Sequence, residues 1–260
     1  MTETPLVHLN QVVLAFAGKP VLNGVELKIF PQDRLVILGQ SGGGKSTMLR
    51  LILGILKPTG GEIKYKHLRV SRLSRSKLNL LRSRIGMVYQ YSALISSLNV
   101  RDNLALPVRE LGRKSESEID TLVEQKLAMV GMSGTEDKMP SELSGGMRKR
   151  VSLARALMLD PELVLFDEPS AGLDPVMSSV IDELIINLTE KTNTTSIIVT
   201  HEMDSAFRIA TRMAMLYQGS IIQDGKPEEF KSTDHPVVRQ FVTGEVEGPM
   251  TEPSPDADNT

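Results

Sequence analysis

Leu35-Val36-Ile37-Leu38-Gly39-Gln40-Ser41-Gly42-Gly43-Gly44-Lys45-Ser46-Thr47 decides the fold. Four apolar residues run straight into a glycine cluster, the look of a strand buried on both faces of a parallel sheet. Beyond the glycines, Met48, Leu49, Ile52 and Leu56 recur at helical spacing until Lys57-Pro58 stops the helix. Strand, glycine loop and helix in that order satisfy the pattern G-x-x-x-x-G-K-[ST]. The glycines let the backbone curl so that several N–H groups point at one anion, and the helix N-terminus reinforces their field. Lys45 offers a point charge to outer phosphates, and Ser46 a hydroxyl ligand to Mg²⁺. A glycine-rich turn that merely enters a helix is the bland alternative. The joint presence of strand, spacing, Lys and Ser argues against it, and residues 39–47 are expected to hold a nucleoside triphosphate.

Two further buried-strand candidates lie far downstream, Leu163-Val164-Leu165-Phe166 and Ser196-Ile197-Ile198-Val199. The first ends in Asp167-Glu168. In α/β sheets ligands bind at the carboxyl ends of the strands, which brings this acidic pair toward the glycine loop. Asp167 is then expected to hold magnesium through water, and Glu168 to polarise an attacking water as general base. His201 follows the second strand and is either a plain helix-entry residue or a contact for the terminal phosphate. Gln90, after the strand candidate 85–89, reads alone as an exposed polar residue.

Helical patterns separate these strands, so both ends of the chain describe an α/β sheet. Residues 6–16 and 21–30 are rich in Val, Leu, Ile and Phe and are joined through Gly18-Lys19-Pro20, a hairpin signal. From about 92 to 159 the pattern turns helical. Ile119, Leu122, Val123, Leu127 and Val130 form a one-sided stripe, and residues 144–157 form another helix. A helical subdomain inserted into the α/β core is expected there. A short helix is expected over 236–242, and residues 251–260, polar with two prolines, are expected to be disordered.

Composition narrows the function classes. The 30 Lys+Arg and 32 Asp+Glu nearly cancel, so no strongly basic domain advertises nucleic acid. The basic stretch 64–84 is either a solvated face or a contact for acidic headgroups. With no cysteine, disulfides, thiolate metal sites and Cys nucleophiles are excluded. Residues 1–5 lack the basic patch and apolar core of a secretory signal. No stretch approaches the roughly 20 apolar residues of a membrane span, so any membrane role is expected to come through a partner.

The string Leu143-Ser144-Gly145-Gly146-Met147 resembles the LSGGQ signature of ABC ATPases, and the order of the other motifs agrees. Phe16 resembles the aromatic A-loop residue that stacks on adenine. Residues 39–47 resemble Walker A, Gln90 the Q-loop, Asp167-Glu168 Walker B with its catalytic glutamate, residues 170–174 the D-loop ending in Asp174, and His201 the H-loop. The likeness runs from about residue 6 to 231. It implies a P-loop NTPase with a RecA-like α/β core, an antiparallel β subdomain and an inserted α-helical subdomain, the ATPase domain covering 1–244 and a partly disordered tail 245–260. It also implies Gln90 as a contact for the metal and the attacking water. Ser144 opens a helix, so a hydroxyl and free N–H groups face outward as a second anion site. In the family, two copies pack head to tail and each signature caps the ATP of the other. Met147 departs from the usual Gln.

A narrower likeness lies in Gln90-Tyr-Ser-Ala-Leu94, Asn99-Val-Arg-Asp-Asn103, Pro107-Val-Arg-Glu110 and residues 139–148, with His235-Pro-Val-Val-Arg-Gln-Phe241 and Gly248-Pro249 in the tail. These strings resemble the ATPase subunits of Mla/MCE phospholipid transport systems. That resemblance implies ATP and Mg²⁺ as ligands, a homodimer, Mla-like permease subunits, an MCE-domain protein, a small STAS-type regulator, and a place on the cytoplasmic face of the inner membrane. The alternatives are an ABC transporter ATPase for another cargo, such as amino acids, and a non-transport ABC ATPase acting on nucleic acid. Against the last, the interval from Lys45 to Asp167 is too short for a long coiled coil, and the chain has one cassette.

Overall fold

The computed structural model describes residues 4–112 and 114–251. A hairpin comes first: β1 (Val7–Phe16) pairs antiparallel with β2 (Lys19–Ile29), and Phe16 faces Lys19 across the turn. β3 (Arg34–Leu38) feeds the glycine loop and α1 (Lys45–Ile52). β4 (Gly60–Tyr65) and β5 (Leu68–Arg69) then complete a four-stranded antiparallel sheet ordered β2-β1-β4-β5. α2 (Arg75–Arg82) leads into β6 (Ile85–Val88). Three helices follow: α3 (Val100–Leu111), α4 (Glu116–Met129) and α5 (Gly145–Ala156). The chain returns through β7 (Leu163–Asp167), α6 (Pro175–Thr192), β8 (Thr195–Val199), α7 (Met203–Ile209), β9 (Arg212–Tyr217) and β10 (Ser220–Gly225). It closes with α8 (Pro227–Lys231) and α9 (Pro236–Thr243).

The second sheet is ordered β10-β9-β3-β8-β7-β6. Its strands β9, β3, β8, β7 and β6 run parallel, and β10 pairs antiparallel at the edge. Side chains alternate across a strand, and here that alternation separates two cores. Val36 and Leu38 of β3, Val164 and Phe166 of β7 and Ile198 of β8 pack with α3 to α7. Leu35, Ile37, Leu163, Leu165, Ile197 and Val199 pack with α1 and the antiparallel sheet. The apolar runs read from the sequence are therefore strands covered on both faces.

The helices between β6 and β7 owe their starts to polar caps. Asn99 Oδ1 accepts from Asp102 N at 2.8 Å, and Ser115 and Glu118 form a reciprocal capping box at α4. Of the stripe seen in the sequence, Ile119, Val123, Leu127 and Val130 are buried, and Leu122 is half-buried against the same core. Asn103 is fully buried on α3; its amide donates to the carbonyls of Ile95, Leu98 and Asn99 and its oxygen accepts from Ile95 N.

Most of the basic stretch is occupied within the chain. Lys64 and Arg69 pair with Glu62, Lys66 and Arg84 with Glu162, and Arg82 donates to the carbonyls of Leu53 and Gly54. After α9 the backbone folds back on itself: Gln240 Oε1 accepts from Met250 N at 2.8 Å. Residues 252–260, where disorder was expected, lie outside the described residues.

Candidate nucleotide site

The glycine loop sits where β3 gives way to α1. At Gly39, φ is +151° and an added Cβ would lie 2.4 Å from the carbonyl oxygen of Leu216 on β9, so the approach of two backbones demands glycine. Gly44, the residue before α1, holds φ at +98°, with Val21 and Leu22 of the hairpin crowding the space a Cβ would need. Lys45 is buried. Its Nζ donates to the carbonyls of Gly39 at 2.7 Å and Gln40 at 3.0 Å and lies 4.0 Å from Glu168 Oε1. Burial pulls its pKa below the ordinary lysine value, and the charges of Glu168 and Asp167 oppose that pull.

β7 delivers the acidic pair beside this loop. Ser46 Oγ donates to Asp167 Oδ1 at 2.7 Å. Glu168 turns left-handed, at φ 52°, and its N–H bonds to Val199 O. Its Oε1 lies 3.0 Å from His201 Nδ1, while its Oε2 is buried with no protein partner. A buried carboxylate oxygen without a donor is costly unless something else supplies one, which suits an acceptor held ready for a water.

Ser41, Gly42, Gly44, Lys45, Ser46, Thr47, Gln90, Glu168 and His201 line one cleft of about 190 Å³. The parallel sheet explains the convergence, since β3, β6, β7 and β8 all end on this side. Hydroxyl, carboxylate and amide oxygens from Ser46, Asp167 and Gln90 are hard ligands of the kind Mg²⁺ takes. With Ser46 and Asp167 already in direct contact, the donor set fits that ion.

Other candidate residues stand apart from this cleft lining. Phe16 ends β1 with half its surface exposed. Ser144 and Gly145 are exposed at the start of α5, where Ser144 Oγ accepts from Met147 N at 3.3 Å. Asp174 caps α6, accepting from Val176 N and Met177 N at 3.0 Å. A Cβ at Gly145 would touch Leu173, and one at Gly146 would meet Met177, so the starts of α5 and α6 adjoin. Met147 is half-buried and packs on the core, an apolar job that the usual Gln would do poorly.

The sequence reading missed Lys149. It is buried on α5, and its Nζ donates to the carbonyls of Gln90 and Glu168. Its only signal was position, one turn past the Gly145-Gly146 pair.

Comparison with known proteins agrees with this geometry. The family model described as ABC transporter matches residues 22–171. The Haemophilus influenzae protein named intermembrane phospholipid transport system ATP-binding protein MlaF is 38% identical over 94% of this chain and 93% of its own. The Mycobacterium tuberculosis (strain H37Rv) protein named probable ribonucleotide transport ATP-binding protein mkl is 40% identical over 94% of this chain and 68% of its own. The chloroplastic protein TRIGALACTOSYLDIACYLGLYCEROL 3 of Arabidopsis thaliana is 39% identical over 94% of this chain and 75% of its own. Among solved structures, the dimeric post-hydrolysis state of the ATP-binding cassette MJ0796 bound to ADP and Pi superposes with a TM-score of 0.77 at 31% identity, covering 85% of this chain and 98% of that one. CbiO1 of Clostridium perfringens gives 0.82 at 30% identity over 92% of this chain and 94% of its own. With the glycine loop, Glu168, Gln90 and His201 gathered in one cleft and Asp167 bonded to Ser46, the chain belongs to the ABC transporter family, as an ATP-hydrolysing cassette.

Proposed function

We propose that this ATPase is the energy-coupling subunit of a transporter that moves phospholipids between membranes, and that it works as a pair of identical copies. The observation that carries the pairing is the exposure of Ser144 and Gly145 away from the residues lining the glycine-loop cleft. In this reading the cleft is half a site, and the start of α5 from a second copy closes it.

Within the half-site, Phe16 stacks on adenine and residues 39–47 cradle the triphosphate, with Lys45 moving from its carbonyl contacts to the outer phosphates. Ser46, Asp167 and Gln90 would hold Mg²⁺, which when bound neutralises phosphate charge. Glu168 accepts the proton of the attacking water, its buried Oε2 being the free acceptor. His201 orients Glu168 through Nδ1 and presents its other nitrogen to the terminal phosphate. Ser144, Gly145 and Gly146 of the second copy supply a hydroxyl and helix-start N–H groups, and Asp174 stands beside them at the junction. Most of the rate enhancement is positional and electrostatic.

Transmission to a permease is supported by an open cleft of about 460 Å³ whose walls include Tyr89, Leu106, Pro107, Glu110 and Arg155. Beside it Tyr91 is 87% exposed directly after Gln90, so a docked helix would press on the segment that carries the glutamine. The described residues contain no helix long and apolar enough to cross a membrane, and the reading places the chain on the cytoplasmic face of the inner membrane through that permease. An MCE-domain protein and a STAS-type regulator complete the proposed assembly.

The phospholipid cargo rests on two relatives whose names carry a lipid. Another cargo is the alternative, which these relatives do not favour, although the mycobacterial relative's name mentions ribonucleotide transport. Purification of the native complex from solubilised membrane, with mass spectrometry of its proteins and bound small molecules, separates them. Permease, MCE protein and phospholipid together are the expected result. A complex carrying nucleotides or amino acids as cargo, with no phospholipid enriched, overturns the lipid reading.

A further inference from the structure

The body of α5 and the segment after β6 are joined by a row of hydrogen bonds that no motif reading includes. Lys149, Ser152 and Arg155 recur every third residue, which puts them on one face of the helix. Lys149 Nζ donates to Gln90 O, Ser152 Oγ to Ser92 O at 2.9 Å, and Arg155 to Ser92 O at 3.0 Å and Ala93 O at 2.7 Å. The carbonyls they reach belong to a run in which Ser92 and Ala93 hold φ at 61° and 48°, a left-handed conformation that residues with a Cβ seldom adopt. Such a conformation persists only where its surroundings impose it. Here α5 holds the carbonyls of the run, beside its own turn bonds from Ser92 N to Tyr89 O and Ala93 N to Tyr91 O.

Lys149 does one thing more. The same ammonium donates to Glu168 O at 3.3 Å, and Glu168 is itself left-handed. β6 and β7 are parallel neighbours, with Val88 opposite Phe166, so Gln90 and Glu168 leave adjacent strand ends. One buried cation thus bridges the two loops that carry the glutamine and the glutamate. It does so from the helix whose first residues are Ser144, Gly145 and Gly146. The desolvated ammonium keeps its place because carbonyl oxygens satisfy it; an uncharged, donorless side chain would leave both carbonyls without that partner.

We propose that Lys149 is a positioning residue: it sets the register of Gln90 against Glu168 and ties both to the start of α5, so that a push on segment 90–93 reaches the catalytic glutamate and the second anion site together. The proposal rests on the assignment of Glu168 as general base. It does not require Lys149 to touch ATP.

The test uses the native transporter complex with MgATP, comparing wild type with Lys149→Met, Lys149→Arg and Glu168→Gln. Lys149→Met is expected to lower kcat about 10- to 100-fold, the scale of a small misplacement in a site, while KM and ATP affinity stay within about twofold. Lys149→Arg, which keeps charged N–H donors, is expected to recover most of that loss. A kcat for Lys149→Met within about twofold of wild type overturns the proposal, as does a loss that falls equally on ATP affinity and is not relieved by Arg. Should the Met variant fail to fold, Lys149→Gln, which retains an amide donor, decides by the same split between kcat and affinity. Glu168→Gln keeps the two assignments distinct. Turnover surviving in that variant removes the general-base reading, whereas a dead Glu168→Gln beside a fully active Lys149→Met removes only the role of Lys149.

Discussion

His201 Nδ1 lies 3.0 Å from Glu168 Oε1, a contact that joins the loop after β8 to the residue after β7. The second oxygen of that carboxylate is buried without a protein partner. One oxygen is therefore held and the other is available, the arrangement wanted in a base that must keep one orientation while it accepts a proton. Glu168→Gln preserves shape and removes the basic site. Turnover is expected to fall by about 10²–10⁴ with ATP binding retained, read by phosphate release against nucleotide binding. His201→Ala, which frees Glu168 to rotate, is expected to fall less steeply. Equal activity of wild type and Glu168→Gln in the assembled complex would reassign the base.

Ser46 and Asp167 make the second prediction. Their 2.7 Å contact puts a hydroxyl and a carboxylate oxygen at one point beside Lys45, and neither has another evident purpose there. Ser46→Ala and Asp167→Asn are expected to raise the Mg²⁺ concentration for half-maximal turnover by about 10- to 100-fold. Chelation by EDTA is expected to stop wild-type turnover. A Mg²⁺ titration that both substitutions leave unmoved takes these two residues out of the metal site.

What the sequence disclosed and what it withheld divide along a physical line. β3, β7 and β8 are short apolar runs because both faces are covered, one by α1 and the antiparallel sheet and the other by the helices. That double burial writes itself into composition. The glycine loop was legible because its conformations exclude side chains at Gly39 and Gly44. Lys149 was invisible for the opposite reason. Its partners are the backbone carbonyls of Gln90 and Glu168, which have no residue identity to read, and a lysine on a helix reads by default as a solvated one. Asp182 hid for another reason: an acid in α6 reads as solvated, yet it is fully buried against side chains from α7.

That buried acid yields a prediction about pH. Asp182 accepts from Ser205 Oγ at 2.6 Å and from Arg208 at 2.7 Å. Burial pushes its pKa above the ordinary aspartate value, and the bonds from Ser205 and Arg208 only partly offset that. A carboxyl raised in the folded state holds its proton more firmly there than in the unfolded chain. Its contribution to stability is therefore greatest at acid pH and declines as pH climbs from the unfolded value through the folded one. Asp182→Asn removes this dependence. The difference in Tm between wild type and Asp182→Asn is expected to move in favour of wild type as pH is lowered through that window. A Tm difference that stays flat across the window contradicts a raised Asp182 pKa.

The pairing of two copies can be tested without the permease bound to any particular cargo. Ser144 Oγ caps α5 by accepting from Met147 N at 3.3 Å, and losing that cap costs about 1 kcal/mol of helix stability. A defect in Ser144→Ala could thus be read as mere fraying, and a single variant cannot separate fraying from loss of contact with a second copy's ATP. Complementation can. Two variants, each carrying Glu168→Gln to trap nucleotide, are made with Lys45→Ala in one and Ser144→Ala in the other. Alone, each is expected to trap little ATP, since both sites of either homodimer lack one wall. Mixed in equal amounts, half the pairs should be hybrid, and each hybrid has one site with an intact Lys45 facing an intact Ser144. Retained nucleotide should then rise to about a quarter of that held by the Glu168→Gln parent, as two-fold symmetry requires. If Lys45 and Ser144 served the same chain's ATP, mixing would recover nothing, because no copy carries both.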